Sequence, residues 1–293
     1  VEYCDFDQFG IEDLPLKEGE SYSRFSSNTN LLFGDIASIC DAVSKCPYPG
    51  LILNLKKGSS GRLESTMQNL ADVFKEDKKE TFELENTFIT YNHRHKTIST
   101  TKKAFVNGGS AVETPEACLY DLLYGARELL EQCRISLPQS RTLEEYLSLG
   151  PEFVFLYHPA LGPFYSTIQK KLKNGALGSG SELNLRIVDV MLQNFRLDGS
   201  LQIEACPLLQ GCCVLENINI QNQGIDWTQS KPFWKGHFFH QESLEIQLKG
   251  RSQFIAKNVT FLGSHRFVVE DGRSMQVLQE GEKLIIKEEP FNV

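Results

Sequence analysis

No run of residues in this chain approaches the ~20 consecutive apolar positions that cross a bilayer. The N-terminal residues also lack the charged-then-apolar pattern of a secretory signal. A membrane role is therefore not expected. Positive charge is short as well: 30 Lys and Arg against 38 Asp and Glu leave a net charge of −8. That balance argues against a general nucleic-acid binder, because phosphate backbones demand a positive face. The local basic clusters Lys56-Lys57, Lys102-Lys103 and Lys170-Lys171 with Lys173 read first as solvated surface. CxxC pairs are missing, so neither a zinc site nor a thioredoxin-like motif is indicated. The 8 cysteines are scattered apart from the adjacent Cys212-Cys213. Such placement fits free thiols in a reducing, cytoplasmic compartment. GxGxxG, the P-loop Gly-Lys-Ser/Thr ending and GxSxG are absent too, which removes the common phosphate-cradle and serine-nucleophile signatures.

What is present divides into two textures. The first half reads as α/β. Leu51 to Leu55 is a short apolar strand ending at a Lys-Lys-Gly-Ser-Ser-Gly loop, and Met67, Leu70, Ala71 and Phe74 then fall at helical spacing. Arg62 to Glu64 is expected as the first turn of that helix, and a further strand around Thr87 to Tyr91. The clearest helix spans 115 to 134. Thr114 is a natural N-cap, Pro115 sits at the first helical position, and an apolar stripe runs from Cys118 to Cys133. Two more helices are expected at Thr142 to Leu149 and Pro163 to Leu172, the second stopping on Asn174-Gly175.

Near Gly175 to Ser181 the helical period disappears, and this stretch reads as a linker. Short alternating apolar runs follow, such as Leu183 to Ile187 and Leu244 to Leu248, with glycines punctuating them. Their spacing is too irregular for a clean hexapeptide repeat, yet many short strands with frequent corners suit a β-helix better than a sandwich. Residues 225 to 240, rich in Trp and Phe, interrupt the pattern as a loop that caps or dimerises.

Gly58-Ser59-Ser60-Gly61-Arg62 follows a strand and precedes a helix, where phosphate loops sit, but a plain surface turn is the favoured reading. His93 and His95 share one face of an expected strand without a third metal ligand. His158 could as easily be structural, and His237 and His240 belong to the aromatic loop.

A family resemblance rests on several short segments in order: Val1-Glu2-Tyr3, Ser27-Asn28-Thr29-Asn30-Leu31, Gly61 to Gln68, Tyr157 to Pro163, Leu197-Asp198-Gly199-Ser200, Gly224 to Trp227 and Asn258-Val259-Thr260. Together they resemble the UTP-dependent sugar-1-phosphate uridylyltransferases of the UDP-glucose and UDP-N-acetylglucosamine pyrophosphorylase superfamily, above all the plastid-type members and their bacterial relatives. The resemblance implies an α/β fold: the C-terminal part of a Rossmann-like nucleotidyltransferase domain, a mixed sheet with flanking helices, over 1–178. A β-helix domain is then implied over 179–293, with the aromatic loop at 225–240.

The implied chemistry is attack of a sugar-1-phosphate oxygen on the α-phosphate of UTP, which needs positioning, Mg²⁺ and cationic charge more than a protein nucleophile. By resemblance, Glu2, Asn28, Thr29 and Asn30 would hold the sugar, and Lys102 or Lys103 would meet the phosphates as the catalytic cation. Asparagine suits a sugar hydroxyl because its amide both donates and accepts. The implied partners are UTP and a sugar-1-phosphate, glucose-1-phosphate first among them, with self-association through the β-helix. The family's glycine-rich loop, uracil-reading segment and metal-binding Asp are not seen in this chain. It begins on Val1, so a fragment that does not turn over alone is the expectation, with no metal ligand of its own. A non-catalytic sugar-binding or oligomerisation module of the same superfamily is the alternative. A β-helix acyltransferase is disfavoured, because His265 stands alone.

Overall fold

The computed structural model describes residues 10, 12, 14–15, 17–18, 24–25, 29, 31–55, 61–74, 90, 97–106, 108–206, 208–230 and 233–291, the side chains of 52, 54 and 68 excepted. The chain forms two compact units, Val1–Ile98 and Ser99–Val293.

In the first unit, helix α1 (Ile36–Lys45) starts where the Asp35 side chain accepts the Ser38 N–H at 2.9 Å. An antiparallel hairpin follows, β1 (Leu51–Leu55) with β2 (Gly61–Ser65), in the register Leu53↔Leu63. The segment expected as the first turn of a helix is thus strand β2. The reason is local: Arg62, Leu63 and Glu64 alternate, and Leu53 and Leu63 need partners across the hairpin. The Gly58–Gly61 connection therefore joins two strands rather than a strand to a helix, so it has no helix N-terminus to offer a phosphate. Met67–Phe74 coils as a 3₁₀ helix. The strand expected around Thr87 to Tyr91 and both His93 and His95 lie outside the described residues, Thr90 excepted.

The second unit opens with α2 (Pro115–Gln132), capped by Thr114, whose hydroxyl accepts from Ala117 N at 3.4 Å. After β3 (Ile135–Ser136) comes α3 (Leu143–Leu149), held at its start by a reciprocal capping box between Thr142 and Glu145. Strand β4 (Phe153–Tyr157) and α4 (Tyr165–Lys171) lead into an unbroken series of coils. These are β5 (Leu172–Leu177), β6 (Ser181–Arg186), β7 (Asp189–Asp198), β8 (Ser200–Ala205), β9 (Cys212–Gln221), β10 (Leu244–Leu248), β11 (Gln253–Lys257), β12 (Thr260–Leu262), β13 (His265–Val269) and β14 (Arg273–Glu280). All pair in parallel until β15 (Lys283–Pro290) turns back antiparallel on β14.

The result is a parallel β-helix with two sheets, ordered β13-β10-β8-β6-β4 and β15-β14-β11-β9-β7-β5-β3. Matching residues stack coil upon coil. Leu185, Ile203, Ile246 and Phe267 are aligned on one face, and Leu177, Leu197, Ile220 and Phe261 on another. Each aliphatic side chain buried this way contributes roughly 1.5–3 kcal/mol, and along β7, β9 and β10 buried positions alternate with more exposed ones. At one corner the chain passes through left-handed backbone at Asn174, Asn194, Asn217 and Asn258, with φ between 52° and 55°. Asparagine accepts this conformation more readily than other side chains. Gly175 to Ser181 is accordingly no linker: it is strand β5 and the turn into β6. The division expected between 178 and 179 falls inside this stack, whereas the compact units part between Ile98 and Ser99. Asn174 turns a solenoid corner rather than ending a helix, since α4 already stops at Lys171.

Candidate functional site

Of the residues expected to hold a sugar, Glu2, Asn28 and Asn30 lie outside the described residues. Thr29 is half-buried in the first unit. The two lysines belong to the second unit, on a segment running beside the start of α2. The backbone N–H groups of Lys102 and Lys103 both donate to the Glu113 carbonyl, at 2.9 and 3.2 Å. Upstream, Ser99 donates to Asp121 at 2.6 Å, and Thr101 lies 3.0 Å from the Cys118 sulfur. Lys102 Nζ forms an ion pair with Glu113 at 3.1 Å while remaining 67% exposed. Lys103 is exposed and carries no ion pair among the described residues. Both lysines are therefore exposed on a backbone anchored to Glu113.

A second cluster lies on the outer face of the first sheet. Glu182 is 1% exposed. Its Oε2 accepts from Ser200 Oγ at 2.6 Å and lies 2.6 Å from His240 Nε2, while Asn184 donates to Oε1 at 3.3 Å. Gln202 Nε2 sits 3.2 Å from the same histidine nitrogen. Strand pairing brings these residues together, since Glu182 is level with Ser200 and Asn184 with Gln202 on consecutive coils. His240 arrives from the segment 225–241. That segment is closed by the Ile225↔His240 bridge and by hydrogen bonds from Asp226 N to Phe239 O and from Gln241 N to Gly224 O. The hydrogen bond with Glu182 raises the His240 pKa above the ordinary 6.5.

The same segment carries an aromatic cluster onto the helices. Phe233 is fully buried against Tyr146 of α3 and Leu123 of α2, with Phe233 and Tyr146 edge to face at 5.1 Å. Trp227 donates from Nε1 to Gly180 O at 3.2 Å. Its ring also leaves no room for a side chain at Gly150, where φ is 85° and a Cβ would lie 3.1 Å from the indole. The aromatic loop expected at 225–240 is thus a cap over α2 and α3.

An open cleft of about 510 Å³ lies beyond the other end of this face, with Arg186, Glu204 and Lys249 on its walls and Leu248 on its floor. Lys249 is paired with Glu270 at 2.7 Å. His158 borders it too, but its Nδ1 accepts from Ala160 N at 3.1 Å, so the ring caps the 3₁₀ turn Pro159–Leu161.

Residues 207–293 match the family described as "UGP3-like, C-terminal hexapeptide repeats". The chain aligns with the Arabidopsis thaliana protein named "UTP--glucose-1-phosphate uridylyltransferase 3, chloroplastic", 34% identical over 324 aligned positions that cover 94% of this chain. Over nearly its whole length the chain is similar to a protein named as a uridylyltransferase. It spans 36% of that relative's length. No solved structure matches it significantly.

The hexapeptide-repeat match over residues 207–293 and the β-helix agree. The period is hard to see in sequence because the 225–241 cap and the helices before β5 are inserted between coils. His265 Nε2 lies 3.0 Å from the Leu262 carbonyl and its ring is parallel to that of Phe267. Among the described residues no group of three or more His, Cys, Asp or Glu is placed to hold a metal ion. Also among the described residues, no helix is long and apolar enough to cross a membrane. The buried Glu182–His240 network had no sequence signal. Ser-Glu-Leu-Asn-Leu-Arg reads as an ordinary exposed alternation, and only the returning cap buries its outward face.

Proposed function

We propose that this chain works as part of a UTP:sugar-1-phosphate uridylyltransferase, making a UDP-sugar and pyrophosphate. The observation that carries the reading is the 34% identity sustained over 94% of the chain to a protein named for UTP and glucose-1-phosphate. Glucose-1-phosphate is accordingly the sugar phosphate of first choice. In the reaction an oxygen of the sugar phosphate forms a bond to the α-phosphorus of UTP, the bond to the β-phosphate bridge breaks, and pyrophosphate leaves with the electron pair. Positioning and charge stabilisation supply most of such a rate enhancement.

Lys102 or Lys103 would neutralise developing phosphate charge, and Glu2, Asn28, Thr29 and Asn30 would hold the hexose. Mg²⁺ belongs to this reading as the charge-neutralising cation, and no residue of this chain is assigned to it. The free thiols fit a reducing compartment, cytoplasmic or plastid. Self-association through the β-helix also belongs to the reading, supported by the hexapeptide-repeat family.

The test is pyrophosphate release from UTP, glucose-1-phosphate and Mg²⁺. The 293-residue chain should show none alone, and should show turnover when the remainder of the Arabidopsis relative is supplied. Turnover by the chain alone would remove the shared-site reading. Failure of the mixture, together with unchanged glucose-1-phosphate binding in Asn28→Ala and Asn30→Ala, would favour a non-catalytic module.

A further inference from the structure

The cap segment crosses from the helices to the solenoid and is fastened at both places. On the helix side, Phe233 is buried with Tyr146 and Leu123, and Phe238 packs against the same cluster. On the solenoid side, the fastening is polar. A carboxylate 1% exposed on β6 faces an imidazole one quarter exposed on the cap, at 2.6 Å.

The histidine nitrogen in that contact has two neighbours with opposite demands. Glu182 is an acceptor, so it needs Nε2 to carry a proton. Gln202 presents its amide nitrogen, a donor, at 3.2 Å, so it needs Nε2 bare. A charged ring satisfies Glu182 through a charge-assisted bond, the stronger kind. A neutral ring either keeps its proton on Nε2 and donates to Glu182 without charge assistance, or carries it on Nδ1, accepts from Gln202 and faces Glu182 with a bare nitrogen. Loss of the ring's charge therefore weakens the polar fastening in either tautomer.

We propose that residues 225–241 are a pH-sensitive strap, latched by His240 on Glu182, that clamps helices α2 and α3 to the solenoid and loosens as the solution becomes alkaline. The groups facing His240 agree with this sense. From β6 come Glu182 and Asn184, from β8 Ser200 and Gln202, and from β10 Glu245, whose charge also favours the imidazolium. Arg266 of β13 lies 3.7 Å from Glu245 and draws off part of its charge. On the strap itself Asp226 is engaged by Thr228, Gln229 and Gln241, and just outside it Glu242 accepts from Gln223 N. Because the folded pKa of His240 lies above 6.5, its stabilisation is complete below the unfolded value and is lost as pH rises through the folded one.

The strap holds its own reporter, because Trp227 and Trp234 are the chain's two tryptophans. Tryptophan emission of the full chain, titrated from about pH 6 to about pH 9, should shift to the red at constant far-UV circular dichroism. His240→Gln should abolish the transition, and His237→Gln, which alters the exposed histidine of the strap, should keep it. Independently of any variant, hydrogen exchange at 225–241 in the unmodified chain should rise roughly tenfold beyond the intrinsic pH effect, with the coils of β7 and β9 unchanged. An emission maximum that does not move with pH, a transition retained in His240→Gln, or one that coincides with global unfolding overturns the proposal.

Discussion

Asn194 donates from Nδ2 to Oδ1 of Asn217 at 3.0 Å, and Asn217 makes the same bond to Asn258 at 3.0 Å. Asn174 adds a weaker rung to Asn194 at 3.4 Å. This ladder runs up the solenoid at the corner where each coil turns through left-handed backbone, so one residue type meets two requirements at once: a positive φ and a self-complementary amide.

Replacing a middle rung should therefore cost more than an exposed polar side chain usually does. Asn217→Ala loses two amide contacts and places a Cβ-bearing residue without a polar side chain in left-handed backbone. We expect a loss of about 1–2 kcal/mol. Asn217→Gly should lose less, since glycine adopts that backbone without strain. Urea unfolding of the two variants checks the order.

Arg127 joins α2 to the start of the solenoid. It lies 3.1 Å from Glu152, donates to Pro138 O at 2.6 Å and covers the Phe153 ring, with both charged side chains under 15% exposed. Arg127→Met should destabilise by roughly 3 kcal/mol because it strands a buried carboxylate. Arg127→Met combined with Glu152→Leu should recover most of that loss, and a double-mutant cycle by thermal melting measures it.

Phe233 anchors the cap, fully buried and edge to face with both Tyr146 and Trp234 at 5.1 Å. Phe233→Ala should cost about 3–5 kcal/mol. The tryptophan emission should move to the red before the β-sheet signal melts, because the cap opens first.

Lys102 distinguishes surface charge from a phosphate contact. Its ion pair with Glu113 is largely solvated, so Lys102→Ala should change stability by less than about 0.5 kcal/mol. If the lysine meets phosphate, the same variant should lower turnover of the assembled enzyme about 10²-fold or more. Lys103→Ala in parallel shows which of the two carries the role.

Thiol reactivity should follow burial. Cys40 and Cys206 are exposed, whereas desolvation pushes Cys133 and Cys212 up to about 11 and raises Cys213 well above the ordinary thiol value. The thiolate is the reactive form. Iodoacetamide near neutral pH should therefore label Cys40 and Cys206 first, with Cys133, Cys212 and Cys213 reacting after denaturation. Peptide mass mapping reads the order.

Local signals carried much of the architecture. Thr114-Pro115-Glu116 announced α2, the helix expected over Thr142 to Leu149 is α3, and alternation at 183–187 and 244–248 announced coils. The misreadings came where two local codes compete. Arg62 to Glu64 suits a helix start or a strand, and cross-strand leucines decide for the strand. Gly175-Ala176-Leu177 looks like a linker because small residues mark flexible chain. Here Gly175 is small because the Phe195 ring lies over it, where a Cβ would come within 2.3 Å.

Alternation and turn residues alone pointed to a β-helix with an aromatic interruption, and short segments in order carried the resemblance to sugar-nucleotide transferases. Those properties depend on residues close in sequence or on alternation with a fixed period. Tertiary structure decided the rest. It made the 225–241 segment a cap on α2 and α3 rather than a free loop. It also buried Glu182 beside His240, residues 58 positions apart. Such a pair has no local signature, because the free energy of burying a carboxylate depends on what returns to cover it.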